Sequence, residues 1–269
     1  MEYPTNSSFI VQLDLSVDAR WLTSSESTAD ILGYEVNELR THSFFHLVHP
    51  DESHAARANH VRVVQGDKSA AVVILRLRHK RNGWILCAFS RTVASDRIVG
   101  SVALAGPARR AMFRGATASE IVFLTQTPEA ARLDVGRWDD YGATPPPRVS
   151  PQTLSLRTFL LIDRFTEMST VQECSNDYFV TRHCVQQSLF NFVHPHDGDA
   201  VNECIIALKH WGALQGGMLS DGGFAYIKFR LLFSGRGANT PPHTMGETHV
   251  HALMWATSDG IIMVLKKVA

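Results

Sequence analysis

A ten-residue segment in the first half of the chain recurs in the second half without a gap. Residues 43–52, SFFHLVHPDE, return as SLFNFVHPHD at residues 188–197. Five positions are identical: Ser43, Phe45, Val48, His49 and Pro50 correspond to Ser188, Phe190, Val193, His194 and Pro195. Solenoid repeats recur about every 20–50 residues, so a repeat this far apart indicates two copies of one domain.

The residues after each copy support the duplication. Residues 53–64 and 199–211 both have helical periodicity, with Ala56, His60 and Val64 on one face of the first helix. Asp51 and Asp197 stand where a side chain could cap these helices. Each copy ends in two apolar runs joined by Ser-Asp, which is typical of a turn between strands.

The first copy also predicts five strands, over residues 9–14, 20–23, 71–78, 84–92 and 98–104. In the third strand Val73, Leu75 and Leu77 share one face, whereas Arg76 and Arg78 share the other. Asn82-Gly83 is a preferred pair for a two-residue hairpin turn. The order of elements predicts an α+β fold with an antiparallel sheet and helices on one side.

Three short motifs in this copy resemble the PAS family of sensor and interaction domains. They are His49-Pro50-Asp51-Glu52 before the long helix, ADILGY at residues 29–34, and Asn82-Gly83-Trp84 in the hairpin. The second copy keeps His194-Pro195 but has NDYF at residues 176–179 where the family has LGY. The resemblance implies two PAS-like domains, each an antiparallel five-stranded sheet with short helices on one face.

The first PAS domain is expected over residues 1–106 and the second over residues 154–269. Residues 107–153 between them contain a basic run at 108–114 and the prolines Pro145, Pro146 and Pro147. Composition favours a partly ordered linker with a Pro-rich end, and the alternative is a helix that aligns the domains for dimerisation. This tandem arrangement is similar to that of fungal white-collar-like regulators.

Charge and cysteine content restrict the class of protein. Lys+Arg and Asp+Glu are both 26, for a formal net charge of +0, so we expect no direct nucleic-acid binding. The sequence has no signal-peptide pattern and no apolar run of membrane-spanning length, so no membrane association is expected. The four cysteines form no CxxC pair, which favours reduced thiols in the cytoplasm or nucleus.

Two cofactors are suggested by the PAS resemblance. Flavin photoreceptors of the family need a Cys in the segment that corresponds to residues 42–46 or 187–191, and neither segment has one, so flavin is not expected. Haem-binding members use a His on the long helix, which makes His60 the candidate ligand. A single His on an apolar helix face is more often a packed core residue.

Other chemistry has little support in the sequence. His249 and His251 share a strand face with His243 nearby, but zinc needs further ligands that the spacing does not supply. The sequence has no GxSxG, HExxH or kinase-type motif, so we expect no enzyme activity and no metal.

We therefore expect a non-enzymatic signalling protein that acts through tandem PAS domains, possible roles being transcription regulation and protein–protein interaction. The expected interaction surface is the outer face of the first sheet, with Arg76, Arg78, Leu86 and Ala88, and the partner is a second copy or another PAS protein. The alternative is a sensor that holds a small apolar ligand or haem between the sheet and the long helix. A third interpretation is a structural remnant without a signal.

Overall fold

The computed structural model describes residues 7–106, 110–133, 154–215, 218–220, 222–236 and 246–268. The chain divides into two compact units, Met1–Leu154 with Thr257–Asp259, and Ser155–Ala256 with Gly260–Ala269. Each unit has its own main sheet and its own apolar core. Of the linker predicted over 107–153, residues 107–109 and 134–153 lie outside the described residues.

The first unit is one mixed sheet with helices. Its strands are β1 (Ser8–Asp14), β2 (Trp21–Ser24), β3 (Ala71–His79), β4 (Gly83–Ala94), β5 (Arg97–Leu104) and β6 (Glu120–Phe123), and its helices are α1 (Thr28–Leu32), α2 (Val36–Leu39), α3 (Pro50–Gln65) and α4 (Arg110–Thr117). The strand order is β2-β1-β5-β4-β3-β6. Every neighbouring pair is antiparallel except β3 and β6, which run parallel.

Alternation along β3 and β4 gives the sheet two faces. Val73 pairs with Phe89 and Leu75 with Cys87, and all four belong to the apolar core that α3 covers. The residues between them point to the other face, as the sequence predicts. The turn differs from the expectation, because residues 80–82 form it and Gly83, at φ +76°, pairs with His79.

The repeated segment builds the entry to α3. The Ser43 hydroxyl donates to the carbonyl of Asp18 (2.6 Å) and accepts from the N–H of Phe45, which begins a short 3-10 helix. His49, not Asp51, caps α3, because its Nδ1 accepts from the N–H of Asp51 at 3.2 Å. The helix therefore begins at the Pro that follows this cap.

Part of the predicted linker belongs to the first unit. Ser90 lies on the face of β4 opposite to Phe89, and its hydroxyl and that of Ser101 accept from Nη1 of Arg114 in α4 (3.3 and 2.8 Å). β6 then pairs with β3 at the sheet edge. The expectation of helices on one face only is therefore corrected for this unit, whose sheet has helices on both faces and a sixth strand.

The second unit repeats the sheet topology. Its elements are β7 (Arg157–Ile162), β8 (Val171–Cys174), α5 (Gly198–Lys209), β9 (Ala213–Gln215), β10 (Met218–Ser220), β11 (Ala225–Leu232), β12 (Glu247–Ala256) and β13 (Ile261–Lys267). The order β11-β12-β13-β7-β8 is the order of β3, β4, β5, β1 and β2 in the first unit. β9 and β10 form a separate hairpin.

The same local contacts also recur in the second unit. The Ser188 hydroxyl donates to the carbonyl of Met168 (2.7 Å), and Nδ1 of His194 accepts from the N–H of His196 (3.3 Å). Both contacts have counterparts at Ser43 and His49. The identical Ser and His of the sequence repeat therefore hold one backbone arrangement in two places. The α+β class expected from the sequence is confirmed.

Candidate functional site

The buried face of α3 carries two polar residues. Ala56, Asn59, His60 and Val63 are buried at helical spacing and form one face of the helix. Ala56 and Val63 belong to the apolar core. Asn59 and His60 need hydrogen-bond partners there, because burying a polar group without one costs free energy.

Arg91 on β4 meets this face of the helix. It alternates with Phe89 and Val93, which both belong to the core under α3, and it is 4% exposed. Its Nη2 donates to Oδ1 of Asn59, and its guanidinium lies 5.2 Å from the centre of the Phe89 ring. Burial lowers the pKa of Arg91 to about 10, so the side chain keeps its positive charge near pH 7.

His60 is held in one tautomer. Its Nε2 lies 2.8 Å from the carbonyl oxygen of Ser16, and because a carbonyl only accepts, Nε2 carries the proton and Nδ1 presents a lone pair. The Phe45 ring packs edge-on against the imidazole at 5.7 Å. Burial, with a smaller contribution from the Arg91 charge, lowers the pKa of His60 to about 4.

Two atoms of this cluster have no hydrogen-bond partner. Nε of Arg91 and Nδ1 of His60 are buried and unpaired, and so is Nε1 of Trp21 elsewhere in the same core. The Arg91 atom is a donor on a charged group, and the His60 atom is an acceptor on the adjoining helix α3. Leaving such a group unsatisfied costs about 1–3 kcal/mol. We call Asn59, His60 and Arg91 the polar core cluster.

An ion pair between Arg62 and Glu120 lies next to the polar core cluster, at the edge of the sheet. Glu120 on β6, Ala71 on β3 and Arg91 on β4 lie in one row across three strands. Both carboxylate oxygens of Glu120 accept from Arg62 of α3, and Nζ of Lys68 lies 3.7 Å from the same carboxylate. The carboxylate closest in the row to Arg91 is thus already shared by two other cations.

The four residues predicted as an interaction surface differ in exposure and in their contacts. Arg76 and Leu86 pair across β3 and β4 on the outer face, as expected from the alternation. Arg76, however, is held at the sheet edge by Glu52 (Nε to Oε1, 2.6 Å). Arg78 is exposed and Leu86 is half-buried, whereas Ala88 has 0% exposure on the face that α4 crosses. The structure does not bring the four together as one open patch.

His60, the predicted haem ligand, has one ring nitrogen already engaged. Nε2 lies 2.8 Å from the Ser16 carbonyl, and the Phe45 ring packs against the imidazole, so only Nδ1 is left to bind a ligand. Sequence reasoning missed Asn59 and Arg91. The available signal was the register of β4, in which an arginine occupies an inward position between Phe89 and Val93.

The cysteines are all buried and none is in a disulfide. Burial raises the pKa of Cys87, and it raises that of Cys204 to about 11. Both thiols are therefore protonated near pH 7 and behave as small apolar residues.

The described residues hold neither a cluster of metal ligands nor a membrane-spanning helix. Within the described ranges, no three or more His, Cys, Asp or Glu side chains group closely enough to hold a metal ion. His249 and His251 are exposed on β12, and His243 lies outside the described residues. Among the helices that are described, none has the length and apolar character needed to cross a bilayer.

Comparison with known proteins identifies the fold of the first unit. Residues 22–99 match the family model described as PAS fold. No curated protein matches the chain. The span of the match covers β3, β4, α3 and therefore the whole polar core cluster.

Solved PAS structures resemble the chain over 36% of its length. They include the Cronobacter turicensis RpfR quorum-sensing receptor PAS domain in complex with BDSF (20% identity, 93% of that chain, TM-score 0.33). Others are the N-terminal domain of a diguanylate cyclase with PAS/PAC sensor from Marinobacter aquaeolei (9%, 94%, 0.32) and Drosophila melanogaster Cycle PAS-B with bound ethylene glycol (19%, 99%, 0.32). The family match over residues 22–99 is the finding that identifies a PAS fold in the first unit of this chain.

Proposed function

We propose that this chain is a non-enzymatic sensor whose PAS fold detects a small molecule between the sheet and α3. The observation that carries the proposal is the unpaired donor of Arg91 and the unpaired acceptor of His60 on adjoining elements of a mostly apolar core. A core built for stability alone favours apolar residues at these positions, because each unmet polar group is costly. Residues that lower stability in this way are typical of binding sites.

The cluster suits binding better than catalysis. A general base works best with a pKa near the operating pH, whereas the pKa of His60 is lowered to about 4 and its Nε2 is fixed to a backbone carbonyl. Arg91 can orient and attract a ligand without exchanging a proton. The output of such a sensor passes to another protein, and a role in transcription regulation, as in white-collar-like regulators, is the finer form of this proposal.

Protein–protein interaction through the outer sheet face is the second candidate. It requires a surface for a second copy or another PAS protein, and Arg78 and Leu86 remain partly accessible for this. α4 crosses the same face and buries Arg114 against Ser90 and Ser101. Association through the whole face therefore requires α4 to leave it, which makes ligand sensing the better supported function.

The experiment begins with the purified full chain. Denaturation followed by mass spectrometry identifies any small molecule that is carried along, and a metabolite library is screened for compounds that raise the melting temperature. Hydrogen exchange with and without the best compound then locates the site. We expect increased protection in peptides that contain Asn59–His60 and Arg91.

The absence of any extracted or stabilising compound would overturn the sensor proposal. Protection confined to the second unit would overturn its placement in the PAS fold of residues 22–99. An absorbance scan of the same sample tests haem, and a Soret band that disappears in His60→Ala would replace the proposal with haem binding.

A further inference from the structure

Arg91 is buried in the first unit. It is a charged side chain at 4% exposure, and its one described hydrogen-bond acceptor is the neutral amide of Asn59. Buried charges in proteins are normally paired with an opposite charge. We propose, resting on the proposed sensor function, that Arg91 anchors the carboxylate of a small organic acid.

The charges around the cluster favour an anion. Glu120 is the carboxylate nearest to Arg91 along this row, and it accepts hydrogen bonds from Arg62 with both oxygens while Nζ of Lys68 lies 3.7 Å away. His60 adds no charge near pH 7. Glu120 attracts Arg91 across the row, but no described hydrogen bond or ion pair joins the two. In a low-dielectric core the attraction of such a cation for a negative group is strong.

The unpaired atom has the right chemistry for a carboxylate. The guanidinium group presents several N–H donors in a plane, and Nε of Arg91 has no acceptor. A carboxylate oxygen accepts from such a donor in a short, charge-assisted hydrogen bond, and its second oxygen fits a neighbouring N–H of the same fork. One buried cation matches the single charge of a carboxylate better than the higher charge of a phosphate monoester.

The surroundings define the rest of the ligand. The Phe89 ring lies under the guanidinium and the Phe45 ring lies against His60, so the body of the acid contacts aromatic and aliphatic side chains. Nδ1 of His60 is an unmet acceptor, so a hydroxyl group on the ligand has a partner there. The site is thus suited to an apolar monocarboxylic acid, and a hydroxyl in reach of His60 strengthens binding.

The first test needs no variant. Benzoate, 3-hydroxybenzoate and octanoate are titrated into the full chain and compared with benzamide, 3-hydroxybenzamide and octanamide, by calorimetry and by thermal melting. We expect the acids to bind at least tenfold more tightly than their amides. Equal binding of acid and amide overturns the carboxylate anchor. Sodium nitrate at the same concentrations is the control, and an equal shift with nitrate reduces the site to a general anion site and also overturns the proposal.

The second test assigns the anchor to Arg91. Arg91→Gln keeps a donor for Asn59 and removes the charge, and Arg78→Gln is the matched control, because Arg78 is exposed on the adjacent strand. We expect at least a tenfold loss of acid affinity in Arg91→Gln, none in Arg78→Gln, and a wild-type circular dichroism spectrum in both. Unchanged affinity in Arg91→Gln overturns the assignment.

Arg91→Lys covers the case in which Arg91→Gln does not fold. It keeps the charge and loses the fork, so we expect an intermediate affinity for the acids, and wild-type affinity overturns the proposal. The outcomes also distinguish the carboxylate anchor from the sensor function. A neutral compound that protects α3 and β4 supports the sensor function but overturns the carboxylate anchor. If no compound binds, both proposals are overturned.

Discussion

Asp197 accepts three hydrogen bonds from Arg230, one from the backbone N–H at 2.8 Å and two from the guanidinium at 2.9 and 3.0 Å. Glu52 and Arg76 make the equivalent contact in the first unit, with the backbone N–H at 2.7 Å and Nε at 2.6 Å. In each unit the contact joins the start of the long helix to the next strand of the main sheet, β3 in the first unit and β11 in the second. In each unit the carboxylate also accepts from a backbone N–H of the strand that would otherwise need water as its acceptor.

We predict that Asp197→Asn destabilises the second unit by about 1–3 kcal/mol, because the charged acceptor of a partly buried arginine is lost. The measurement is urea denaturation followed by tryptophan fluorescence. Asp199→Asn is the control, since Asp199 is exposed in the first turn of α5, two residues further along the chain. Equal effects of the two substitutions would show that the pairing with Arg230 contributes nothing.

The same pair predicts a response to acid. Hydrogen bonds from Arg230 lower the pKa of Asp197 to about 2, from an ordinary value of 3.8. The stabilisation is therefore complete above about pH 4 and is lost as the pH falls toward 2. Urea denaturation between pH 2 and pH 5 should show a shallower loss of stability in Asp197→Asn than in the wild type.

His60 predicts a second response at higher pH. Burial lowers its pKa from 6.5 to about 4, with Arg91 and Arg57 acting in the same direction and the Ser16 carbonyl and Asp14 opposing them. The unfolded chain binds the proton first as the pH falls, so stability is complete above pH 6.5 and decreases down to about pH 4. The total loss is about 3 kcal/mol for this shift.

His60→Gln tests this directly, because glutamine keeps a donor for Ser16 and does not titrate. The free energy of unfolding of the first unit should then be flatter between pH 4 and 6.5. His54→Gln, on the exposed face of α3, is the control and should keep the wild-type slope. A wild-type slope in His60→Gln would assign the titration to another group.

A further prediction concerns α4. Arg114 is 5% exposed and donates to two serine hydroxyls on the outer sheet face, so Arg114→Ala removes the polar contacts that hold the helix there. We expect faster hydrogen exchange in α4 and β6, and a greater tendency to self-associate in sedimentation, because the uncovered face contains apolar residues such as Ala88. Phe113→Ala changes the exposed neighbour and should leave exchange in β6 unchanged.

The strands of the first unit could be predicted because their signals are local. β3 and β4 follow from alternation and β-branched composition, and α3 follows from helical periodicity over residues 53–64, although His49 and not Asp51 caps it. α4 and β6 could not be predicted in the same way. Their contacts depend on a buried arginine and on the parallel pairing of β6 with β3, and neither leaves a periodic pattern in a short segment.

The polar core cluster could be predicted from the sequence only in part. Arg91 occupies an inward position in β4, but only the structure shows that Asn59 faces it and that Nε remains unpaired. Tertiary contact between a helix and a strand more than 30 residues apart decides these facts. The hydrogen bond between Arg76 and Glu52 could not be predicted from the sequence for the same reason, since it also joins a helix to a strand.

The last prediction concerns Cys174 and Cys184, which lie in the core of the second unit and are both free. The Cys174 thiol donates to the carbonyl of Asn176 at 3.2 Å, and the two thiols are close enough for each to shift the pKa of the other. The Cys184 thiol lowers the pKa of Cys174, whereas Cys174 and burial raise the pKa of Cys184. A thiolate at Cys174 therefore has a sulfur partner already in place.

Diamide should convert this pair to a disulfide, since it takes up the two hydrogens that the thiols lose as the S–S bond forms. We expect one intramolecular crosslink by peptide mass spectrometry, reversed by dithiothreitol and absent in Cys174→Ser. Cys204→Ser is the control, because Cys204 is buried in α5 with its pKa raised to about 11, and it should leave the crosslink intact. Formation of the bond only after urea is added would show that the native backbone holds the two sulfurs in an unreactive arrangement, and would contradict the prediction.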